Sequence, residues 1–240
     1  KKPMNIVATS SWLYDCVKKS SLMQNWPIYL IPYPINTKIW KPINKLYAKD
    51  ILGIDTKKKV ILFGAIGGTK DIRKGSHLLE EALKILKDSH SEDIENKIQI
   101  LFFGEESDKK FINNLPVDFL GSFQDDLSLR VVYSAADVMV VPSIQEAFGQ
   151  TASEAHACGT PVVGFKIGGL IDIVSHQKTG YLADPYSPRS LADGIKWTLE
   201  NEDRNKKLSS QARLKAKKNW DSRIIAKKYF DAYHYALNIY

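Results

Sequence analysis

The sequence predicts an α/β fold in which a parallel sheet carries helices on both faces. Short runs rich in Val, Ile, Leu and Phe recur along the chain, several of them apolar without alternation, as strands covered on both sides require. Between them lie stretches with apolar residues at helical spacing. Such alternation reads as βαβ units, and these deliver parallel strands.

The opening stretch "NIVATSSWLYDCVKKSSL" reads as a strand, a serine cap and a helix. The Pro-rich "WPIYLIPYPINTKIWKP" after it is extended and reads as a boundary. Residues 1–35 are therefore expected to be a remnant of, or a connector to, another domain. The first strand of the main sheet is "KVILFGA" from Lys59. In "KGSHLLEEALKILKDSH", Leu78, Leu79, Ala82, Leu83, Ile85 and Leu86 recur at helical spacing, with Ser76 the expected N-cap. Strands follow at "IQILFFG" from Ile98, "VDFLG" from Val117, "DVMVVPS" from Asp137, "PVVGF" from Pro161 and "GYLAD" from Gly180. A further helix begins in "SPRSLADGIKWTLEN", where Ser187 caps, Pro188 suits the first turn and Leu191, Ile195 and Leu199 line one face. No internal repeat or low-complexity tract interrupts the pattern.

With 240 residues, 44% of them hydrophobic, the chain can bury a sizeable core. No apolar run approaches the roughly 20 residues that cross a bilayer, and the first residues do not read as a signal peptide. Two cysteines, Cys16 and Cys158, make neither a disulfide framework nor a metal cluster. The expected location is cytoplasmic. Net charge is +7, so an anionic partner is expected. Much of the excess lies in "DRNKKLSSQARLKAKKNWDSRIIAKKY", which reads equally as a solvated helix face or as a peripheral contact with the anionic inner face of the cytoplasmic membrane. Nucleic acid is not expected, because no helix-turn-helix, zinc or RNA-binding signature accompanies the charge.

In open α/β sheets ligands lie beyond the C-terminal ends of the strands. Here "GAIGGTKDIRKG", "GEES", "GSF", "PSIQEAFGQT" and "KIGG" stand there. The first offers close backbone approach at Gly64, Gly67 and Gly68, then Lys70, Arg73 and Lys74 before a helix start, a combination suited to a nucleotide diphosphate and equally to a flexible basic loop. It matches neither GxGxxG nor the Walker pattern, and an NAD oxidoreductase is set aside on that ground. The second signal is a carboxylate pair. Glu146 precedes the helix "TASEAHA" and Glu154 lies about one turn into it, with Gln150 and Thr151 at the positive helix end. Paired carboxylates serve glycoside hydrolysis; alternatively each accepts hydrogen bonds from sugar hydroxyls while cations and helix N–H groups stabilise a departing diphosphate.

Glu146, Phe148, Gly149, Glu154 and Ala155, followed by "ACGTPVVGFKIGGLIDIVSHQKTGYLADPYSPRSLADGI", resemble the C-terminal, donor-binding half of the retaining GT-B glycosyltransferases of family 4. The resemblance runs from about Ile28 to Tyr240 and implies a Rossmann-like donor domain over residues 36–218, with a C-terminal helix, 219–240, packing toward an N-terminal domain. It implies a catalytic role for Glu146 and Lys74. Glu146 would contact the transferred sugar, Glu154 the nucleotide ribose, and Lys74 the diphosphate. Gly67, Arg73, Ala147, Phe148, Gly149, Gln150 and Thr151 complete the implied donor site. Two departures stand out. The family's Gly-Arg after the first strand is Gly64-Ala65 here, leaving Lys70 or Arg73 as replacement cations, and "GQT" replaces an aliphatic pair, so that Gln150 adds a polar group facing the sugar.

The implied reaction moves a sugar from a nucleotide-sugar, expected to be a UDP-sugar, to a glycan or lipid-linked acceptor in bacterial surface polysaccharide or O-antigen synthesis. No cofactor or metal is implied. GDP-mannose as donor, or a non-catalytic nucleotide-binding regulatory domain, are the alternatives. By itself the chain is expected to lack the acceptor half and to be inactive. The expected base pocket lies near Gly104, Leu120 and Gly121. His156 and Trp220 read mainly as packing residues.

Overall fold

The computed structural model describes residues 4–64, 71–89, 94–107, 109 and 111–238. Strands β1 (Ile6–Ala8) and β2 (Ile28–Leu30) pair in parallel around helix α1 (Ser11–Lys18), and α2 (Lys45–Ile51) leads into the main sheet. Its strands and helices are β3 (Lys59–Gly64), α3 (Ser76–Asp88), α4 (Ile94–Lys97), β4 (Ile98–Phe103), β5 (Phe111–Ile112), β6 (Leu115–Phe119), α5 (Asp126–Ala135), β7 (Val138–Val141), α6 (Gln150–Ala157), β8 (Val162–Phe165), α7 (Leu170–Ile173), β9 (Gly180–Ala183) and α8 (Pro188–Leu199). Helices α9 (Glu202–Asn219) and α10 (Ser222–Asn238) close the fold.

The sheet runs β5-β6-β4-β3-β7-β8-β9, with β6 through β9 in this order mutually parallel and β5 antiparallel at the edge. Successive residues of one strand point to opposite faces. Val60 and Leu62 join Leu101, Met139 and Val162 under α5, α6 and α9, whereas Ile61 and Phe63 join Ile100, Val140 and Val163 under α3 and α8. Each fully buried Leu, Ile or Phe contributes about 1.5–3 kcal/mol. The apolar runs without alternation are thus strands packed on both sides. This is the predicted α/β, Rossmann-like sheet with helices on both faces.

Local signals account for most boundaries. Ser10 caps α1 by accepting from the Leu13 N–H, and Ser187 caps α8 by accepting from the Ser190 N–H with Pro188 in the first turn. The expected cap at Ser76 is not formed. The chain enters α3 through a left-handed Gly75 (φ 71°), so Ser76 is already helical and buried. The two-residue β5 has no counterpart in the sequence reading, and β6 begins two residues earlier than Val117.

Residues 1–35 supply β1, α1 and β2, and α10 packs on them through Ile225 and Ala232 against Ile31. The following segment is tied to the main body by backbone pairing of Ile35 with Trp220 and Ser222. Arg213 of α9 reinforces the joint, donating to the carbonyls of Trp40 (2.6 Å), Ala157 (2.7 Å) and Thr37 (2.8 Å). No helix among the described residues is long and apolar enough to cross a membrane.

Candidate functional site

Strand order reverses direction between β3 and β7, and at such a switch point the loops diverge and leave a crevice. A cleft of about 720 Å³ opens there. Its walls come from the strand ends, namely Phe63 and Gly64, Phe103 and Gly104, and Val140 through Ser143, and from residues 146–151 with Glu154. The volume matches that of a small-molecule or cofactor site.

At one wall Lys74 Nζ lies 3.1 Å from Glu146 Oε2, and the Ser143 hydroxyl donates to the same oxygen at 3.3 Å. The two residues are 72 positions apart, and the approach is set by the loops after β3 and β7, joined where the Ile144 N–H donates to the Arg73 carbonyl at 2.8 Å. The loop bearing Glu146 rests on the turn after β8. There the Gly169 N–H donates to the Glu146 carbonyl at 2.8 Å, and a Cβ on Gly168 (φ +46°) would lie 2.1 Å from that same oxygen. Only a side chain reduced to hydrogen lets the turn come so close. The "GG" of the sequence is therefore the seat of Glu146.

Behind this pair, α6 points its N-terminus at the cleft. Gly149, with φ 101°, starts the helix without a side-chain cap, so the first N–H groups remain at the cleft wall, where an anion is favoured. Glu154, one turn in, accepts a 2.9 Å hydrogen bond from the Tyr133 hydroxyl. Burial raises the Glu154 carboxyl to about 7, while hydrogen bonds from Tyr133 and Gln150 act in the opposite direction.

The structure brings Lys74, Glu146, Ala147, Phe148, Gly149, Gln150, Thr151 and Glu154 to one cleft. Arg73 stands apart. Its guanidinium is exposed and paired with Asp71 at 2.8 Å. Gly67, with Gly68 and Lys70, lies outside the described residues. Gln150 lines the cleft one helical turn before Glu154. Of the residues expected near a base pocket, Gly104 lines the cleft; Gly121 supports it by accepting from the Gly104 N–H at 2.8 Å, and neither Gly121 nor Leu120 is in the wall. His156 is fully buried, its Nε2 3.0 Å from the Thr179 carbonyl and its ring stacked on Trp220, and burial lowers it to about 3. It is a packing residue, as is Trp220. Among the described residues no group of three or more His, Cys, Asp or Glu side chains is placed to hold a metal ion.

Sequence reading did not single out Tyr133, Tyr33 or Phe103, all of which line the cleft. Tyr133 sits in an apolar helical run and reads as core, and Tyr33 reads as linker. Ser122 and Phe123 were within reach, since they stand in the "GSF" that follows β6.

Comparison with known proteins converges on one family. The sequence profile described as glycosyl transferases group 1 matches residues 45–215. The D-inositol 3-phosphate glycosyltransferase of Corynebacterium urealyticum is 32% identical over 189 residues, covering 73% of this chain and 43% of that protein. The chain spans about half the length, or less, of the curated relatives it matches. Sucrose-phosphate synthase from Thermosynechococcus elongatus superposes with a TM-score of 0.82 at 25% identity, over 98% of this chain and 59% of that one. HepE from Anabaena, solved in complex with UDP and glucose, superposes with a TM-score of 0.73 at 20% identity, over 95% of this chain and 62% of that one.

Proposed function

Since the chain belongs to the glycosyl transferases group 1 family, we propose that it is the C-terminal, nucleotide-sugar-binding half of a retaining family 4 glycosyltransferase that uses a UDP-sugar. The observation that carries this reading is the convergence on one cleft of Lys74, the uncapped N-terminus of α6 and the two carboxylates Glu146 and Glu154. Cation and helix N–H groups suit a diphosphate; carboxylates suit the hydroxyls of the sugars at its two ends.

In this reading Lys74 and the α6 amides hold the diphosphate and stabilise the charge that grows on it as the glycosidic bond breaks. Glu146, reached by both Lys74 and Ser143, orients the transferred sugar, and Glu154 holds the ribose. Stabilisation comes from groups already fixed by the fold, so little reorganisation is needed during transfer. HepE, which binds UDP and glucose, supports UDP as the nucleotide. For the acceptor we propose a glycan or lipid-linked sugar in bacterial surface polysaccharide or O-antigen synthesis, supplied with its binding groups by a separate domain. The relative that acts on D-inositol 3-phosphate favours a second reading, a small phosphorylated polyol.

Thermal melting with UDP, GDP and several UDP-sugars tests the donor. A nucleotide at about 100 times its Kd stabilises by roughly 2.7 kcal/mol, a shift of several degrees for a chain of this size. UDP compounds are expected to give that shift and GDP to give less. Glu146→Ala is expected to lower affinity for UDP-sugar by about 10-fold or more while leaving UDP affinity near that of the parent. Equal loss for UDP and UDP-sugar, or none for either, would remove Glu146 from the sugar site.

A further inference from the structure

Tyr133 lies outside the motifs that mark the cleft, yet its hydroxyl is the contact that fixes Glu154. It belongs to the last turns of α5 and is fully buried. Its ring is held on two sides, edge-on to Phe103 with centroids 5.6 Å apart and tilted against Trp40 at 5.8 Å. Its carbonyl accepts from the Thr160 hydroxyl at 2.6 Å, so the backbone is anchored as well. From that fixed ring the hydroxyl reaches Glu154 Oε2 at 2.9 Å. Burial, with the neighbouring Glu154 charge, raises the phenol well above its ordinary value, so it remains a donor throughout the working pH range.

A carboxylate has two oxygens and about four lone-pair sites. Tyr133 occupies one, Gln150 approaches from the same helix, and the remaining sites belong to a residue that lines the cleft. An unsupported glutamate side chain samples several rotamers; one pinned by a phenol presents its free lone pairs in one direction, and such an array matches two adjacent hydroxyls. We propose that Tyr133 is a positioning residue that makes Glu154 a reader of the vicinal hydroxyls of a ribose, so that the cleft distinguishes ribonucleoside diphosphates from their deoxy counterparts. This rests on the nucleotide-binding reading above.

A site built to hydrogen-bond a hydroxyl rejects the analogue lacking it, because its own buried polar group is left unpaired. The same holds here for a carboxylate whose other partners are already in place.

The test is a set of dissociation constants for UDP, 2′-deoxy-UDP and 3′-deoxy-UDP, measured by calorimetry on the parent, Tyr133→Phe, Glu154→Gln and the double variant. The parent is expected to bind UDP about 10-fold or more tighter than at least one deoxy analogue. Tyr133→Phe is expected to erase most of that ratio by weakening UDP while leaving the deoxy analogue nearly unchanged. In the Glu154→Gln background the tyrosine substitution should no longer alter the ratio. A phenol that merely fills space would leave all three ligands unaltered, because phenylalanine keeps the ring and its contacts with Phe103 and Trp40. An unchanged ratio in Tyr133→Phe, or a parent with no preference, overturns the role of Tyr133 while leaving nucleotide binding intact; a parent that binds none of the three overturns the nucleotide reading itself.

Discussion

Glu154 is a carboxylate held where its charge opposes folding. Burial lifts it to about 7, against an ordinary 4.5 for a glutamate in the unfolded chain. Between those two values the folded protein keeps a proton that the unfolded chain has lost. The stabilising advantage of the neutral form is complete below about 4.5 and is lost as pH rises through about 7. Glu154→Gln, which stays neutral, is therefore expected to melt several degrees above the parent at pH 8, on the order of 1–3 kcal/mol, and at nearly the same temperature near pH 5. A gap that does not change with pH would remove the buried charge as its cause. The Lys74 and Glu146 pair is of another kind. Its side chains are 31% and 15% exposed, and an ion pair so placed contributes at most about 1 kcal/mol. An arriving diphosphate can compete for Lys74 at small cost.

Among the elements, the turn from β8 to α7 decides where the loop bearing Glu146 sits. Gly168 presses on the carbonyl of Glu146, and Gly169 donates to it. Gly168→Ala places a methyl 2.1 Å from that oxygen in a left-handed conformation, and it is expected to destabilise the chain by about 2–4 kcal/mol. Urea denaturation should show a lower midpoint with an unchanged slope; an unaltered midpoint would mean that the turn does not hold the loop. The same dipeptide was visible in the sequence as a post-strand glycine pair, yet its purpose was not, since the partner it touches lies more than 20 residues earlier in the chain. The caps at Ser10 and Ser187 were legible because a cap is a local bond between a side chain and the backbone three residues on. Ser76 was misread for the converse reason: a left-handed glycine one residue earlier already turns the chain into the helix.

For the whole molecule, the basic C-terminal region divides into two populations. Arg213 clamps three carbonyls and Arg204 stacks over Trp197 at 4.5 Å while donating to its carbonyl. These charges serve the fold. Lys217, Lys218, Arg223, Lys227 and Lys228 are exposed, as are Ile224 and Phe230. If that face meets an anionic bilayer, the chain should pellet with vesicles containing phosphatidylserine at low salt and be released at about 0.5 M salt, where charge attraction is screened within a few ångströms. Failure to pellet, or pelleting indifferent to salt, leaves the face a solvated one.

Strand identity, the order of strand and helix, and the placement of Lys74, Glu146 and Glu154 just past strand ends follow from the sequence itself. Each rests on local rules: side-chain periodicity, helix capping, and the position of a residue just past a strand. The tertiary structure alone decided that Lys74 meets Glu146, that Arg73 turns to Asp71, that Tyr133 holds Glu154, and that His156 is buried against Trp220. Those outcomes depend on which strands become neighbours at the switch point and on how the helices seal the two faces. Such contacts join residues far apart in the chain, and periodicity along one segment carries no information about the segment that comes to lie against it.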